Sequence, residues 1–260
     1  MINAENIRNI AFAGHNGSGK TSLVEAILYN AQVTDRIGKT SDGTTVCDYD
    51  AEEIKRGISI STALASFEYN NLKINLLDTP GLFDFAAEMN EGIRAADTVA
   101  ITVSAKSGVK VGAKKAYAEA VKQGKSKMFI VTKIDDKDAN FFNVLTELKT
   151  VFGPTVCPIV VPVLKDGEIV AYVNLIEMKA YKYDESGKAV EADFPAAAEL
   201  FAEYEAGETP EAQLASDLDK LDMYVQSLDY EQKFPDKDLE EFRRSAAAGI
   251  KTALGRNLLR

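Results

Sequence analysis

The sequence predicts an α/β fold, a mainly parallel sheet flanked by helices, followed by a smaller α+β module. Over the first half of the chain, short apolar runs rich in β-branched residues alternate with helical patterns. Such runs suit strands that are buried on both faces of a parallel sheet. Gly153-Pro154 ends this alternation, and shorter strand-like pieces and then helical segments follow it.

The predicted elements of the first half follow one another in order along the chain. The strands are expected at residues 10–13, 72–77, 98–103 and 128–131. The helices are expected at residues 21–30, 86–95, 111–123 and 138–152. Each helical segment has the length and the apolar spacing of a helix that covers a sheet.

The second half predicts a small antiparallel sheet followed by helices. Its strand-like segments are residues 156–163, 168–175 and 177–183, and turn signals stand at residues 165–167 and 184–187. After Pro195 the pattern predicts about three helices, with breaks near residues 207–210 and 234–235. We therefore expect one domain over residues 1–158 and a second over residues 159–260.

Composition and charge exclude several classes of function. The 46% hydrophobic content can fill a core, and no apolar stretch is long enough to span a bilayer, so we expect no membrane partner and a cytoplasmic location. Residues 159–260 hold 21 acidic and 12 basic residues, a net charge of −9, against −1 for residues 1–158. Such a surface repels phosphate backbones, so it indicates a solvated or protein-contacting module and no direct sequence-specific nucleic-acid binding.

The clearest motif matches G-x-x-x-x-G-K-[ST] and lies between a predicted strand and a predicted helix, as a phosphate-binding loop requires. Its residues are Gly14, His15, Asn16, Gly17, Ser18, Gly19, Lys20 and Thr21. Backbone N–H groups in such a loop bind anionic oxygens, Lys20 adds a cation near the outer phosphates, and Thr21 would place its hydroxyl on Mg²⁺. The alternative is a glycine turn before a helix.

A second motif, Asp78-Thr79-Pro80-Gly81, closes the apolar run at residues 72–77. There Asp78 can reach Mg²⁺ through water and the Gly81 N–H can meet a γ-phosphate. This is the D-x-x-G pattern of a nucleotide switch.

A third motif, Thr132-Lys133-Ile134-Asp135, resembles the guanine-reading N-K-x-D pattern, with threonine in place of asparagine. Guanine presents two neighbouring donors that the Asp135 carboxylate can accept together, whereas adenine would leave that carboxylate unpaired. The alternative is a solvated loop carboxylate among Asp135, Asp136 and Asp138.

With these motifs the chain resembles the translation GTPases, most closely elongation factor G and its paralogues. The resemblance is carried by residues 6–29, 44–62, 76–85 and 175–188. It implies a P-loop GTPase G domain with an inserted α+β subdomain, GTP or GDP as ligand and Mg²⁺ as cofactor. It also implies a ribosomal partner, with the acidic subdomain contacting the stalk protein of the large subunit.

The sequence departs from the family pattern at three positions. Ser59 stands where the family has the switch threonine that binds Mg²⁺, and its hydroxyl keeps the ligand oxygen. Gly17 replaces an aspartate in the loop, whereas His15 matches a family histidine and is interpreted as structural. Leu82 replaces the histidine that orients the attacking water, so no catalytic side chain is assigned and hydrolysis should be slow without the ribosome.

Several functions stay open at this point. The leading hypothesis is a GTP-binding, GTP-hydrolysing module of a ribosome-associated elongation factor. The alternatives are a nucleotide-gated ribosome-binding scaffold with little GTPase activity, a ribosomal-protection or release-factor type GTPase, and an ATPase or kinase that uses adenine nucleotides. The family's last nucleotide motif is expected just after Leu259, where the chain ends, so the chain looks truncated.

Overall fold

The computed structural model forms two compact units, residues 1–162 with 166–169, and residues 163–165 with 170–260. The structure describes residues 3–153, 155–165, 168–177, 179–184, 187–192, 207–208, 210–234 and 238–259. Among the helices of these residues, none has the length and apolar character needed to cross a membrane.

The first unit is built on a five-stranded sheet in the order β2-β3-β1-β4-β5. The strands are β1 (Ile7–Gly14), β2 (Ala63–Tyr69), β3 (Leu72–Asp78), β4 (Thr98–Ser104) and β5 (Ser126–Thr132). β1 runs parallel to β3 and β4, and β4 runs parallel to β5. β2 alone pairs antiparallel, with β3, at the edge of the sheet.

Helices cover both faces of this sheet. The helices of this unit are α1 (Lys20–Asn30), α2 (Ala51–Arg56), α3 (Ala86–Ala95), α4 (Val111–Lys122) and α5 (Phe141–Phe152). Phe12 belongs to a buried cluster with residues of α1, whereas the next residue, Ala13, belongs to a cluster with residues of α3, α4 and α5. Because consecutive strand residues point to opposite faces, α1 lies on one face and α3, α4 and α5 lie on the other.

The predicted α/β fold of the first half is confirmed, and each predicted strand falls within β1, β3, β4 or β5. The sequence analysis missed β2 and α2. β2 is joined to β3 by Asn70 and Asn71, which both have positive φ (48° and 63°), a pairing typical of tight hairpins. The last helix begins at Phe141 and not at residue 138, because the Asn140 side chain caps it by accepting from the Asn143 N–H at 3.0 Å.

The second unit contains most of a four-stranded sheet in the order β6-β7-β8-β9, followed by helices. The elements are β6 (Val160–Lys165), β7 (Glu168–Asn174), β8 (Lys179–Tyr183), β9 (Ala189–Ala192), α6 (Pro210–Lys233), α7 (Glu240–Ala248) and α8 (Ala253–Leu258). β8 pairs antiparallel with β7 and β9, which confirms the predicted antiparallel sheet.

Two predictions for the second half differ from the structure or fall outside it. The strand expected from residue 156 begins at Val160, and β9 was not predicted. The turns at 165–167 and 184–187, the breaks at 207–210 and 234–235, and the helical segment after Pro195 lie wholly or partly outside the described residues.

Candidate nucleotide-binding site

The three sequence motifs follow β1, β3 and β5, so they lie at the same edge of the sheet. These strands are parallel, and their carboxyl ends therefore point the same way. In sheets of this kind the crevice beyond the carboxyl ends is the usual place for a ligand.

The phosphate-loop motif joins the end of β1 directly to the first turn of α1. Ser18 is buried, and its hydroxyl lies 2.6 Å from the hydroxyl of Thr102 on β4. Gly19 has a φ of 86°, a left-handed conformation that side chains disfavour, and it turns the chain into α1. Gly14 is the last residue of β1, whereas Asn16 and Gly17 are exposed at the rim.

Lys20 reaches across the loop from the first position of α1. Its side chain is buried, and its Nζ donates a hydrogen bond to the carbonyl oxygen of His15 at 3.1 Å. Burial lowers the pKa of the Lys20 ammonium, while the charges of Asp78 and Asp48 oppose that shift. The loop therefore holds a partly desolvated cation in a fixed position.

Gly81 brings the second motif against this loop. A Cβ at Gly81 would lie 2.5 Å from Lys20 Nζ and 2.6 Å from the backbone nitrogen of Asn16. Real Cβ atoms essentially never approach other atoms so closely, so only glycine fits without movement. The neighbouring Thr79 anchors the motif by donating from its hydroxyl to the Phe12 carbonyl oxygen at 2.8 Å.

Asp78 is a buried carboxylate without a hydrogen-bond partner among the described residues, although only 1% of the residue is exposed. Burial raises its pKa to about 7, while the nearby Thr21 hydroxyl and the Lys20 ammonium act in the opposite direction. The Thr21 hydroxyl in turn lies 3.3 Å from the hydroxyl of Ser59. Two hydroxyls beside an unsatisfied carboxylate are oxygen donors of the kind that a hydrated Mg²⁺ accepts, so these residues fit the ion.

The backbone that follows Ser59 is held by a glutamate that the sequence analysis missed. Glu53 on α2 is buried, and its Oε1 accepts from the backbone N–H groups of Ile60 at 2.8 Å and Ser61 at 3.0 Å. Glu53 also completes a capping box with Asp50 at the start of α2. Asp50 lies three positions before Glu53, and this spacing is a capping pattern that is visible in the sequence.

The third motif is tied to the phosphate loop through Thr132, whose hydroxyl donates to the Ser18 carbonyl oxygen at 2.7 Å. Lys133 follows with a positive φ of 55°. Lys106 pairs with both Asp136 and Asp138 at 3.1 Å. Asp135, in contrast, is exposed and makes no ion pair or hydrogen bond with any described residue.

Leu82 is half-buried and precedes the short turn Phe83–Phe85, so no polar side chain follows Gly81. His15 is the single histidine of the chain. Its ring packs 6.0 Å from that of Phe83, and its Nδ1 is buried without a hydrogen-bond partner in the described part of the chain.

Comparison with known proteins places the sequence in a family. The sequence profile described as the elongation factor Tu GTP binding domain matches residues 5–251. The chain belongs to this family. Membership confirms the predicted P-loop GTPase fold, and guanine nucleotides are the ligands that the family's description names.

Relatives of this GTP-binding domain include elongation factor G-like proteins. That of Mycobacterium tuberculosis (strain ATCC 25618 / H37Rv) is 38% identical over 177 residues, which cover 68% of this chain and 24% of the relative. That of Thermotoga maritima is 36% identical over 195 residues, 75% of this chain and 28% of the relative. The crystal structure of ttk003000868 from Thermus thermophilus superposes with a TM-score of 0.70 at 30% identity, covering 97% of this chain and 36% of that one.

These similarities confirm the resemblance to translation GTPases of the elongation factor G type. The GTP-binding domain matches about a quarter of the length of its curated relatives.

Proposed function

We propose that this chain binds GTP and GDP together with Mg²⁺ and acts as the nucleotide switch of a longer, ribosome-associated factor. The observation that carries the proposal is the close approach of Gly81 to both Lys20 and Asn16. It joins the D-x-x-G motif to the phosphate loop at the point where a γ-phosphate would be sensed.

Each motif has its own part in this proposal. The backbone N–H groups of residues 14–19 and the Lys20 ammonium bind the phosphates. Thr21 and Ser59 bind Mg²⁺ directly, and Asp78 binds it through water. The ion, when bound, neutralises phosphate charge. Thr132, Lys133 and Asp135 form the guanine-binding side.

The free state of Asp135 supports its role as the base selector. Its two carboxylate neighbours in the loop, Asp136 and Asp138, are engaged by Lys106, whereas Asp135 faces solvent without a partner in the described residues. A carboxylate that is unpaired in the protein keeps its acceptor capacity for two donors of guanine.

Hydrolysis is proposed to be slow in the isolated chain and faster on the ribosome. Phosphoryl transfer depends on positioned water and on stabilised charge. Leu82 can neither donate nor accept a hydrogen bond, so a partner has to supply the missing group. Residues 159–260 carry a net negative charge, which suits a protein partner. The resemblance suggests that this partner is the stalk protein of the large ribosomal subunit, in the cytoplasm.

Calorimetric titration with GDP, a non-hydrolysable GTP analogue and ADP in Mg²⁺ tests the proposal. We expect guanine-selective binding that weakens by about tenfold or more in Asp135→Asn, because the amide cannot accept both donors. Asp138→Asn is the matched control in the same loop and should bind GDP like the wild type. Equal affinity for ADP and GDP, or no nucleotide binding at all, would contradict the proposal.

A second candidate function, a nucleotide-gated scaffold with little turnover, is favoured by Leu82 alone. GTP turnover measured with and without ribosomes separates the two functions, since stimulated hydrolysis excludes a passive scaffold. The variant Leu82→His adds a hydrogen-bonding ring at this position. Under the scaffold hypothesis it should raise ribosome-dependent turnover above a wild-type level near zero.

A further inference from the structure

Glu25 is a buried carboxylate that none of the three motifs explains. It lies in the middle of α1, and none of the residue is exposed. Its Oε1 accepts a hydrogen bond from the backbone N–H of Val46 at 2.6 Å, and its Oε2 has no partner among the described residues. Burying a polar group is costly unless it is hydrogen-bonded, so this short bond is a strong constraint on Val46.

Gly38 packs against the same carboxylate from another part of the chain. A Cβ at Gly38 would lie 2.5 Å from Glu25 Oε2, 2.7 Å from the Thr44 carbonyl oxygen and 2.8 Å from the Thr45 Cα. Gly38 has no positive φ, so the close approach and not the backbone conformation requires glycine here. The Glu25 side chain therefore contacts residues 38–48 near both ends of that stretch. We call residues 38–48 the Glu25-bound segment.

The Glu25-bound segment leads into the proposed metal site. Cys47 is buried in the cluster that also contains Val24 and Leu28 of α1. Asp48 follows, also buried, with its backbone N–H directed to the Thr45 hydroxyl at 3.3 Å. The chain then continues through α2 to the hydroxyl of Ser59 beside Thr21.

We infer that Glu25 is a positioning residue, whose carboxylate oxygen holds the Glu25-bound segment on α1 and thereby keeps Ser59 beside Thr21. The first step of this inference, from the Glu25 carboxylate to the position of the segment, concerns the protein alone. The second step, from the segment to the nucleotide and its ion, rests on the proposed function. Loss of the acceptor oxygen should release the segment, whereas replacement of the carboxyl group by an amide, which keeps an acceptor oxygen, should not.

Limited trypsin cleavage without nucleotide tests the first step. Arg36 and Lys39 are exposed cleavage sites beside Gly38. Cleavage is compared for Glu25→Ala and Glu25→Gln, since glutamine keeps the size and one acceptor oxygen for the N–H of Val46.

We expect Glu25→Ala to be cleaved about tenfold faster than the wild type and Glu25→Gln to stay within about twofold, since only alanine removes the hydrogen bond. Glu52→Ala is the control, because this half-buried carboxylate pairs with Arg56 and not with the Glu25-bound segment. Unchanged cleavage of Glu25→Ala would overturn the inference, as would Glu25→Gln behaving like Glu25→Ala.

A general loss of folding is distinguished by urea unfolding of each variant. Where Glu25→Ala unfolds globally, Glu25→Met tests the same bond, because methionine fills a similar volume within α1 and offers no carboxylate oxygen to the N–H of Val46. Faster cleavage of Glu25→Met with an intact unfolding midpoint supports the inference, and wild-type cleavage overturns it.

Titration with a non-hydrolysable GTP analogue in Mg²⁺ tests the second step. We expect weaker binding of the analogue in Glu25→Ala with near wild-type binding in Glu25→Gln. A released segment with unchanged affinity for the analogue would overturn the link to the site. Absence of guanine-nucleotide binding in the wild type would instead contradict the proposed function and leave the cleavage result standing.

Discussion

The hydroxyl of Thr132 donates a hydrogen bond to the carbonyl oxygen of Ser18 at 2.7 Å. This bond joins the end of β5, where the guanine-reading motif starts, to the loop that meets the phosphates. A nucleotide bound at both places would therefore contact two parts of the chain that are already held together. Thr132 stands where the N-K-x-D pattern has asparagine, and its hydroxyl makes the link.

The variant Thr132→Val should weaken GDP binding by about three- to tenfold, because a lost hydrogen bond is worth on the order of 1 kcal/mol. Valine keeps the branched shape, so the packing is preserved. Calorimetric titration measures the change. Thr146→Val is the control, since its hydroxyl bonds within α5 to the Phe142 carbonyl oxygen, and GDP affinity equal to that control would contradict the prediction.

The variant Gly81→Ala should weaken binding of a GTP analogue by about tenfold or more while GDP binding changes little. Its Cβ would lie 2.6 Å from the backbone nitrogen of Asn16, which cannot move as a flexible side chain does. The displaced motif then fails to reach a γ-phosphate, which GDP lacks. Competition between the two nucleotides gives the ratio of affinities, and an equal loss for both would indicate general damage to the loop.

The variant Glu53→Ala should raise the Mg²⁺ concentration needed for half-maximal binding of a GTP analogue, by about tenfold. It leaves the N–H groups of Ile60 and Ser61 without their acceptor, and each lost hydrogen bond costs on the order of 1 kcal/mol. Ser59 then loses its fixed position. The neighbouring Glu52, which pairs with Arg56, provides the control variant Glu52→Ala, and a Mg²⁺ requirement equal in both variants would contradict this role of Glu53.

The sequence predicted the strands and loops of the site because each motif follows a short apolar run. Lys20, Asp78 and Asp135 could be proposed as site residues from motif spacing, since each position is defined relative to the strand before it. β2 was missed because a seven-residue edge strand with two alanines has a weak alternating pattern. The Asn70-Asn71 turn was its clearest signal.

Glu25 could not be assigned from the sequence for a different reason. A glutamate within a helical segment is ordinarily solvated, and its burial here depends on a contact with Val46, 21 residues away. Neither the helix nor the segment shows that contact when it is considered alone. Glu53 lies between the two cases, because its capping box was readable but its bonds to Ile60 and Ser61 were not.

The carboxyl group of Asp78 should give the protein a stability that falls as pH rises when neither Mg²⁺ nor nucleotide is added. Its pKa in the folded protein is raised from 3.8 to about 7. Between these two values the folded state binds a proton that the unfolded state has released, so the free energy of unfolding decreases from about pH 4 to about pH 7 and then levels off.

The variant Asp78→Asn should remove this slope, because an amide does not titrate, and should be more stable than the wild type at about pH 8, where the wild-type carboxylate is charged and buried. Urea unfolding at about pH 5 and about pH 8 measures both effects for the two proteins. Mg²⁺ and GDP together should reverse the order at the higher pH, since a cation beside Asp78 favours the charged form. Parallel pH profiles for wild type and Asp78→Asn would show that this carboxylate is already compensated inside the folded protein.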